Sequence, residues 1–288
     1  MFSRRTAIRL LGALPAASWT ANAHPETAPA LAPGAPNSPE RTALIDAFKA
    51  KIDGLPAQFE KRTHRGAWAM PYRLFRPSAS AKLPLIVYLH GSGGLGDDNE
   101  KQLALGNIFG TRVWLLAGNQ KAFPCYVLAP QTDRGWVRYD PEKWKKDVAE
   151  IVPGLGEGAR LALEIVDALR HEFPIDDRRI YVMGQSMGGG GTWNVLTYRP
   201  RFFAAAVVCC GSSTADDGTG SIETPVWSFH GDADQTVPVS VSRERMAARR
   251  KAGGQPLYTE YAGVDHNVWQ WAFTEPDLPK WLFAQRRA

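Results

Sequence analysis

Residues 179–191 read Arg-Ile-Tyr-Val-Met-Gly-Gln-Ser-Met-Gly-Gly-Gly-Gly, and the order of residue types decides the architecture. The apolar run that ends at Met183 has the length and composition of a buried strand, and Met187–Arg199 has those of a helix. Between them lies Gly184-Gln185-Ser186-Met187-Gly188, the single G-x-S-x-G of the chain. A strand, a sharp turn and a helix with a serine at the turn make a nucleophile elbow, whose flanking glycines are needed where a Cβ would collide with neighbouring backbone. Glycine inside a helix costs roughly 1 kcal/mol relative to alanine. The run Gly188–Gly191 therefore predicts a helix start pressed closely against its neighbours.

Working outward, further apolar runs suited to buried parallel strands are Leu83–His90, Cys125–Pro130, Phe203–Gly211, Pro225–Gly231 and Leu257–Gly263. Helix-length stretches lie between them at Leu155–Phe173 and Val239–Ala252, and Pro174 and Pro200 follow two helices where each should stop. Weaker β segments near Gln58–His64 and Trp68–Arg76 predict an antiparallel edge. Strands alternating with helices, without internal repeats, predict an α/β domain: a mostly parallel sheet of about eight strands with helices on both faces.

A serine hydroxyl is barely ionised at neutral pH and needs a base, which in turn needs an orienting acid. On an elbow of this kind the chain order is serine, acid, histidine. After Ser186, the strand Val226–Phe229 runs into His230-Gly231-Asp232-Ala233-Asp234, a strand-end loop with two carboxyl groups. Asp234 is favoured as the acid, with Asp232 the alternative. His266, in the loop after Leu257–Gly263, is the only histidine beyond that loop. Asp265, its chain neighbour, is badly placed to orient it. The oxyanion donors expected are the backbone N–H groups of Met187 and Ser92, the latter in His90-Gly91-Ser92-Gly93-Gly94 after an earlier strand.

Gly91–Gly96 also satisfies G-x-G-x-x-G, the dinucleotide fingerprint. However, Asp97, Asp98 and Glu100 follow at once and put negative charge where pyrophosphate would bind. The remaining histidines (His24, His64, His90, His171 and His230) lack metal-ligand spacing. No cofactor and no catalytic metal are expected.

From about Tyr72 to Arg286 the chain resembles a secreted α/β-hydrolase family, described variously as predicted peptidases, phospholipase/carboxylesterases and prolyl-oligopeptidase-like hydrolases. These are relatives of dienelactone hydrolase and polyhydroxybutyrate-depolymerase-type esterases. The resemblance is carried by LHGSGGLGDDN ending at Asn99, Phe123–Gln131, Pro174–Trp193, Arg201–Gly211, Pro225–Pro238 and Tyr258–Trp269. It implies an α/β-hydrolase fold and cofactor-independent serine ester hydrolysis, and the family pattern puts the acid on Asp234. The substrates it suggests are small-molecule or polysaccharide-borne esters of acetyl or feruloyl type, with peptidase activity as the runner-up. Gly190 stands where such families often carry a larger residue. A non-catalytic carbohydrate-binding protein would keep the tryptophans but has no need of a triad in the right order.

The 288 residues are 44% hydrophobic and 22% charged, with a mean hydropathy of −0.28. This is enough apolar content for a core, and no run approaches the roughly 20 residues that span a bilayer. No integral membrane association is expected. The net charge is +5, and three of those cations, Arg4, Arg5 and Arg9, precede a short apolar stretch from Leu10 to Trp19 and the small residues Ala21-Asn22-Ala23. That is an export signal of Sec or twin-arginine type, cleaved near Ala23, and it implies a periplasmic or secreted protein. Without those three the charge falls to +2, and the cluster Arg243–Lys251 reads as a solvated helix face, so no nucleic-acid partner is expected. Residues 24–40, rich in Pro and Ala, read as a spacer before a catalytic domain of residues 41–288. Trp136, Trp269 and Trp271 fall in loops after strand ends and are candidate substrate contacts, and Lys101–Lys121 is a candidate partial cover. The three cysteines are too few, and odd in number, for a disulfide framework, with Cys209 and Cys210 expected on opposite faces of one strand.

Overall fold

The computed structural model describes residues 38–78, 81–140, 142, 150–213 and 221–288. The expected signal peptide and nearly all of the expected spacer lie outside the described residues. A helix begins at Pro39, where Ser38 Oγ accepts the Arg41 N–H at 3.2 Å and proline occupies the first turn.

Among the described residues ten strands follow in chain order: β1 (Glu60–Arg65), β2 (Ala69–Phe75), β3 (Leu83–Leu89), β4 (Tyr126–Pro130), β5 (Val137–Tyr139), β6 (Ile151–Leu155), β7 (Ile175–Gln185), β8 (Ala205–Cys209), β9 (Val226–Gly231) and β10 (Leu257–Tyr261). Eight of them form one sheet in the order β1-β2-β4-β3-β7-β8-β9-β10. Pairing is antiparallel for β1/β2 and β2/β4 and parallel from β4 to β10. The antiparallel edge expected from the two weaker segments is present. β5 and β6 make a separate antiparallel pair beside the elbow helix (Met187–Tyr198).

Side-chain alternation along the central strands builds two cores. Ile86 and Tyr88 of β3, Tyr181 and Met183 of β7, and Val207 of β8 face one apolar cluster together with parts of the helices Pro39–Ile52, Asn107–Arg112, Trp269–Ala272 and Leu278–Ala284. Leu85, Val87 and Leu89, Ile180 and Val182, and Ala206 and Val208 face the other, with Glu157–Glu172, the elbow helix and Met246 of Val239–Lys251. Strands buried on both faces read as continuous apolar runs, which is why the sequence marks them so clearly. The stretch expected as a cover, 101–121, instead buries Leu103, Ile108, Phe109, Val113, Trp114 and Leu115 in the first cluster. These six apolar side chains pack into the core, so most of the stretch is a core layer.

One detail of β8 departs from strand alternation. Cys209 ends the strand, and Cys210 has φ +41°, so both side chains join the same cluster and do not face opposite sides. All three thiols are free and buried.

Candidate active site

The parallel strands deliver their loops to one end of the sheet, and the site is assembled there from the ends of β3, β7, β9 and β10. Ser186 follows β7 at φ +52°, ψ −120°, a conformation that costs a non-glycine residue of order 1–3 kcal/mol and persists only when the surroundings over-determine it. Its N–H donates to Cys209 O at 2.9 Å. A Cβ at Gly184 would stand 2.2 Å from Gly188 O, and one at Gly188 only 1.9 Å from Leu89 O. These two glycines therefore let the elbow turn back on itself and onto the end of β3. Gly190 is equally constrained: its Cβ would meet Ser212 O at 2.1 Å, so the backbone after β8 occupies the space where a larger residue would go.

His266 Nε2 lies 2.7 Å from Ser186 Oγ, and its Nδ1 lies 2.7 Å from Asp234 Oδ2. A neutral imidazole donating from Nδ1 to the carboxylate accepts the serine O–H at Nε2. The Asp234 side chain is fully buried, and its polar capacity is well used. Oδ1 accepts the N–H groups of Thr236 and Val237, each at 2.8 Å, while Oδ2 also sits 3.2 Å from His230 Nε2. His230 donates from Nε2 to Val237 O at 2.9 Å and accepts the Ser242 hydroxyl at Nδ1 at 2.7 Å, with burial pulling its imidazole pKa down. Asp232, the alternative acid, is turned away: its Oδ1 accepts the Gly263 N–H at 2.6 Å. Asp265 is also engaged in joining loops, accepting the N–H groups of Gln235 and His266 at 3.2 and 2.7 Å.

On the opposite side, the loop after β3 is held by residues that motif reading passed over. Asn107, 2% exposed, accepts the Gly91 N–H at 3.0 Å and donates to Lys101 O. His90 is fully buried. Thr132 N–H donates to its Nε2 at 3.2 Å, so the proton is on Nδ1, which donates to Gly91 O at 2.8 Å. The same carbonyl accepts the Gly94 N–H at 2.9 Å. Gly91 C=O and Ser92 N–H belong to one trans peptide, so fixing the carbonyl also aims the Ser92 N–H, away from it. The only hint of these roles in the sequence was a histidine before glycine at a strand end. Of the acids after the loop, Asp98 is turned to the backbone, its Oδ1 accepting the N–H groups of Glu100 and Lys101, while Glu100 pairs with Lys61 and Arg73.

The three tryptophans separate. Trp136 is fully buried, edge-on to His90 at 4.8 Å, and donates from Nε1 to His90 O at 2.8 Å. It supports the loop after β3 from below and is out of a substrate's reach. Trp271, 7% exposed, belongs to the first apolar cluster. Both indoles point inward, Trp136 from the loop before β5 and Trp271 from the helix Trp269–Ala272. Trp269 is half-buried and stands perpendicular to the His266 ring at 5.5 Å. Beside it is a residue the sequence did not flag. Leu105 is 74% exposed at φ +50°. A Cβ at its neighbour Gly106 would meet Trp269 Nε1 at 2.7 Å, and one at Gly93 would sit 3.6 Å from Leu105 Cδ1. Leu105 and Trp269 thus form an apolar rim next to the loop that carries Ser92. A second rim lies near Gly135, where a Cβ would stand 3.0 Å from the Tyr139 ring and 3.6 Å from Met187 Sδ.

No protein-family model matches the chain. The crystal structure of a thermostable esterase is similar, with 33% identity and a TM-score of 0.71, over 83% of this chain and 64% of that one. An acylaminoacyl peptidase structure is similar at 17% identity and TM-score 0.56, over 83% of this chain and 44% of that one. A 74-residue stretch, 26% of this chain, is 28% identical to 11% of the bifunctional acetylxylan esterase/xylanase XynS20E of Neocallimastix patriciarum. The chain thus spans less than two thirds of the length of each of these proteins. Together with the sheet order and the elbow, these likenesses show the α/β-hydrolase fold.

Burial pulls the His90 imidazole down to about 4, while the unfolded value is near 6.5. Between those limits the unfolded chain binds more protons, so stability falls as pH drops from about 6.5 to about 4, with roughly 3 kcal/mol of that loss due to His90. Thermal melts across this range should show a shallower acid slope for His90→Asn, whose amide retains a donor, than for the wild type. Equal slopes would remove His90 from the acid response.

Proposed function

We propose that the chain is an exported serine esterase that cleaves small or polysaccharide-borne esters of acetyl or feruloyl type through an acyl-enzyme. The observation that carries this reading is the unbroken hydrogen-bonded line from Ser186 Oγ through His266 to buried Asp234, 2.7 Å at each step. Similarity to the thermostable esterase and to the acetylxylan esterase/xylanase supports ester chemistry.

In this mechanism Ser186 Oγ attacks the ester carbonyl carbon while its proton passes to His266 Nε2, and Asp234 stabilises the resulting imidazolium through Nδ1–H. The carbonyl oxygen gains the negative charge between the N–H groups of Ser92 and Met187, where losing one donor typically costs about 2.7–4 kcal/mol. The C–O bond then breaks, His266 returns the proton to the leaving alcohol, and the acyl group remains on Ser186. Water repeats the sequence: it gives a proton to His266, attacks the acyl carbon and releases the acid and the free serine. Every proton is carried by His266, so no metal or cofactor is assigned a step. Trp269 and Leu105 contact the acyl or aryl part of the substrate.

Hydrolysis of p-nitrophenyl acetate, butyrate and octanoate tests the reading directly. Ser186→Ala should abolish turnover, and Asp234→Asn should lower kcat by about 10⁴-fold, as expected when an imidazole loses its orienting carboxylate. Asp232→Asn should cost far less. Wild-type turnover that survives Ser186→Ala would overturn the mechanism, and cleavage of a chromogenic peptide without ester turnover would favour a peptidase.

Leu105→Asp should raise KM for aryl and longer acyl esters by about fivefold, corresponding to roughly 1 kcal/mol of lost apolar contact, with a smaller effect on acetate. A uniform effect across chain lengths would take Leu105 out of the substrate site.

Export is supported by the basic start, short apolar stretch and Ala21-Asn22-Ala23 of the N-terminus. Mass spectrometry of the protein from a periplasmic or culture fraction should find a mature start at His24. An intact N-terminus in the cytoplasmic fraction alone would refute it.

A further inference from the structure

Behind the Ser186–His266 pair lies a thiol that the hydrolytic steps leave idle. The left-handed turn at Cys210 swings its side chain out of strand alternation and under the histidine loop, where Sγ–H donates to His266 O at 3.3 Å. Cys210 Sγ, a carboxylate oxygen of Asp234 and a ring nitrogen of His266 all lie within 4.8 Å of one another. A thiolate, an imidazole and a carboxylate are the donor types that bind zinc and its softer relatives. Around one such ion, ligand atoms at about 2.0–2.3 Å stand some 3.3–3.8 Å apart. The cluster therefore needs only side-chain adjustments of about an ångström.

Charge also favours an ion here. A thiolate and a carboxylate neutralise a divalent cation, which lets the group remain buried. Cys210 and the Asp234 side chain are fully buried, while the His266 side chain is 19% exposed. The imidazole is thus the one ligand reachable from outside, and its rotation opens the other two.

We propose that Cys210, Asp234 and His266 form an inhibitory site for a thiophilic divalent cation of the zinc and cadmium type. This inference rests on the serine esterase reading. Binding forms metal–sulfur, metal–nitrogen and metal–oxygen bonds and releases the thiol proton to solvent. A neutral imidazole has one lone pair. The ion takes it, and the other ring nitrogen keeps the proton, so whichever nitrogen is used His266 no longer accepts the Ser186 proton. Where the ion takes Nδ1, it also replaces the hydrogen bond between the ring and Asp234. The ion switches the base off without touching the serine.

Two readouts test this on the full chain after chelation. The first is independent of turnover: Cd²⁺ titrated into Ser186→Ala protein should produce a thiolate-to-metal absorption band at one equivalent. The band should vanish in Ser186→Ala/Cys210→Ala and persist in Ser186→Ala/Cys125→Ala, whose lost thiol lies far from the cluster. The second is activity. Zn²⁺ should suppress wild-type ester turnover by about tenfold at an ion concentration ten times its dissociation constant, and a chelator should restore it. Cys210→Ala, compared with its own metal-free rate, should need at least about ten times more Zn²⁺ for the same fractional loss, equivalent to losing about 1.4 kcal/mol of binding. Cys210→Ser serves if the alanine variant does not fold. Absence of the band, or equal zinc sensitivity with and without the thiol, overturns the site. A Cys210-dependent band on a protein without ester turnover leaves the metal site standing and removes the esterase reading instead.

Discussion

The site depends on one close approach of backbones. Ser186 keeps its left-handed conformation because the first turn of the elbow helix is wedged against the end of β3, with Gly188 so near Leu89 O that no side chain fits between them. That contact brings the loop after β3, with Ser92, beside the first N–H groups of the elbow helix, whose leading amides have no intrahelical acceptor. Two parallel strands paired over Leu85–Leu89 and Ile180–Gly184 hold the register of the wedge. The strain at Ser186 is therefore balanced by packing distributed over the centre of the sheet.

Around this wedge the polar groups form two rigid supports. On the acid side, Asp234 is encircled by Thr236, Val237, His230 and His266, so its carboxyl has a single orientation in which to meet the imidazole. On the side of the loop after β3, His90 and Asn107 lock the two peptides of Gly91, and Trp136 props His90. Catalytic groups held by supporting hydrogen bonds pay little reorganisation at the moment charge develops. The buried histidines serve this purpose in neutral form, where burial keeps them.

How much of this was legible in the sequence varied with range. Both-face burial writes itself as unbroken apolar runs, so β3, β4, β8, β9 and β10 could be read within a few residues of their bounds. The elbow was legible because a strained turn at a strand–helix junction demands glycines at fixed offsets, and the chain order of Ser186, Asp234 and His266 follows from the order in which strand ends reach the site. Asn107 and Leu105 had no such mark. A single asparagine early in a helix looks like any other, and a leucine is exposed or buried according to a backbone turn that composition does not encode. Trp136 and Trp271 show the same limit, since a position after a strand end does not fix the direction of an indole.

By itself, then, the sequence determined the layered α/β architecture, the serine elbow and a short list of partners, because these rest on periodicity and local turn chemistry. Only the tertiary structure shows which of the two carboxyl groups meets the imidazole: Asp232 and Asp234 differ by two positions but face Gly263 and His266 respectively. It also decided that Cys210 lies under the loop of His266: one positive φ after β8 breaks the alternation that local rules assume. Such choices depend on how distant loops meet across the sheet end, and contacts between residues 56 positions apart leave no trace in local pattern.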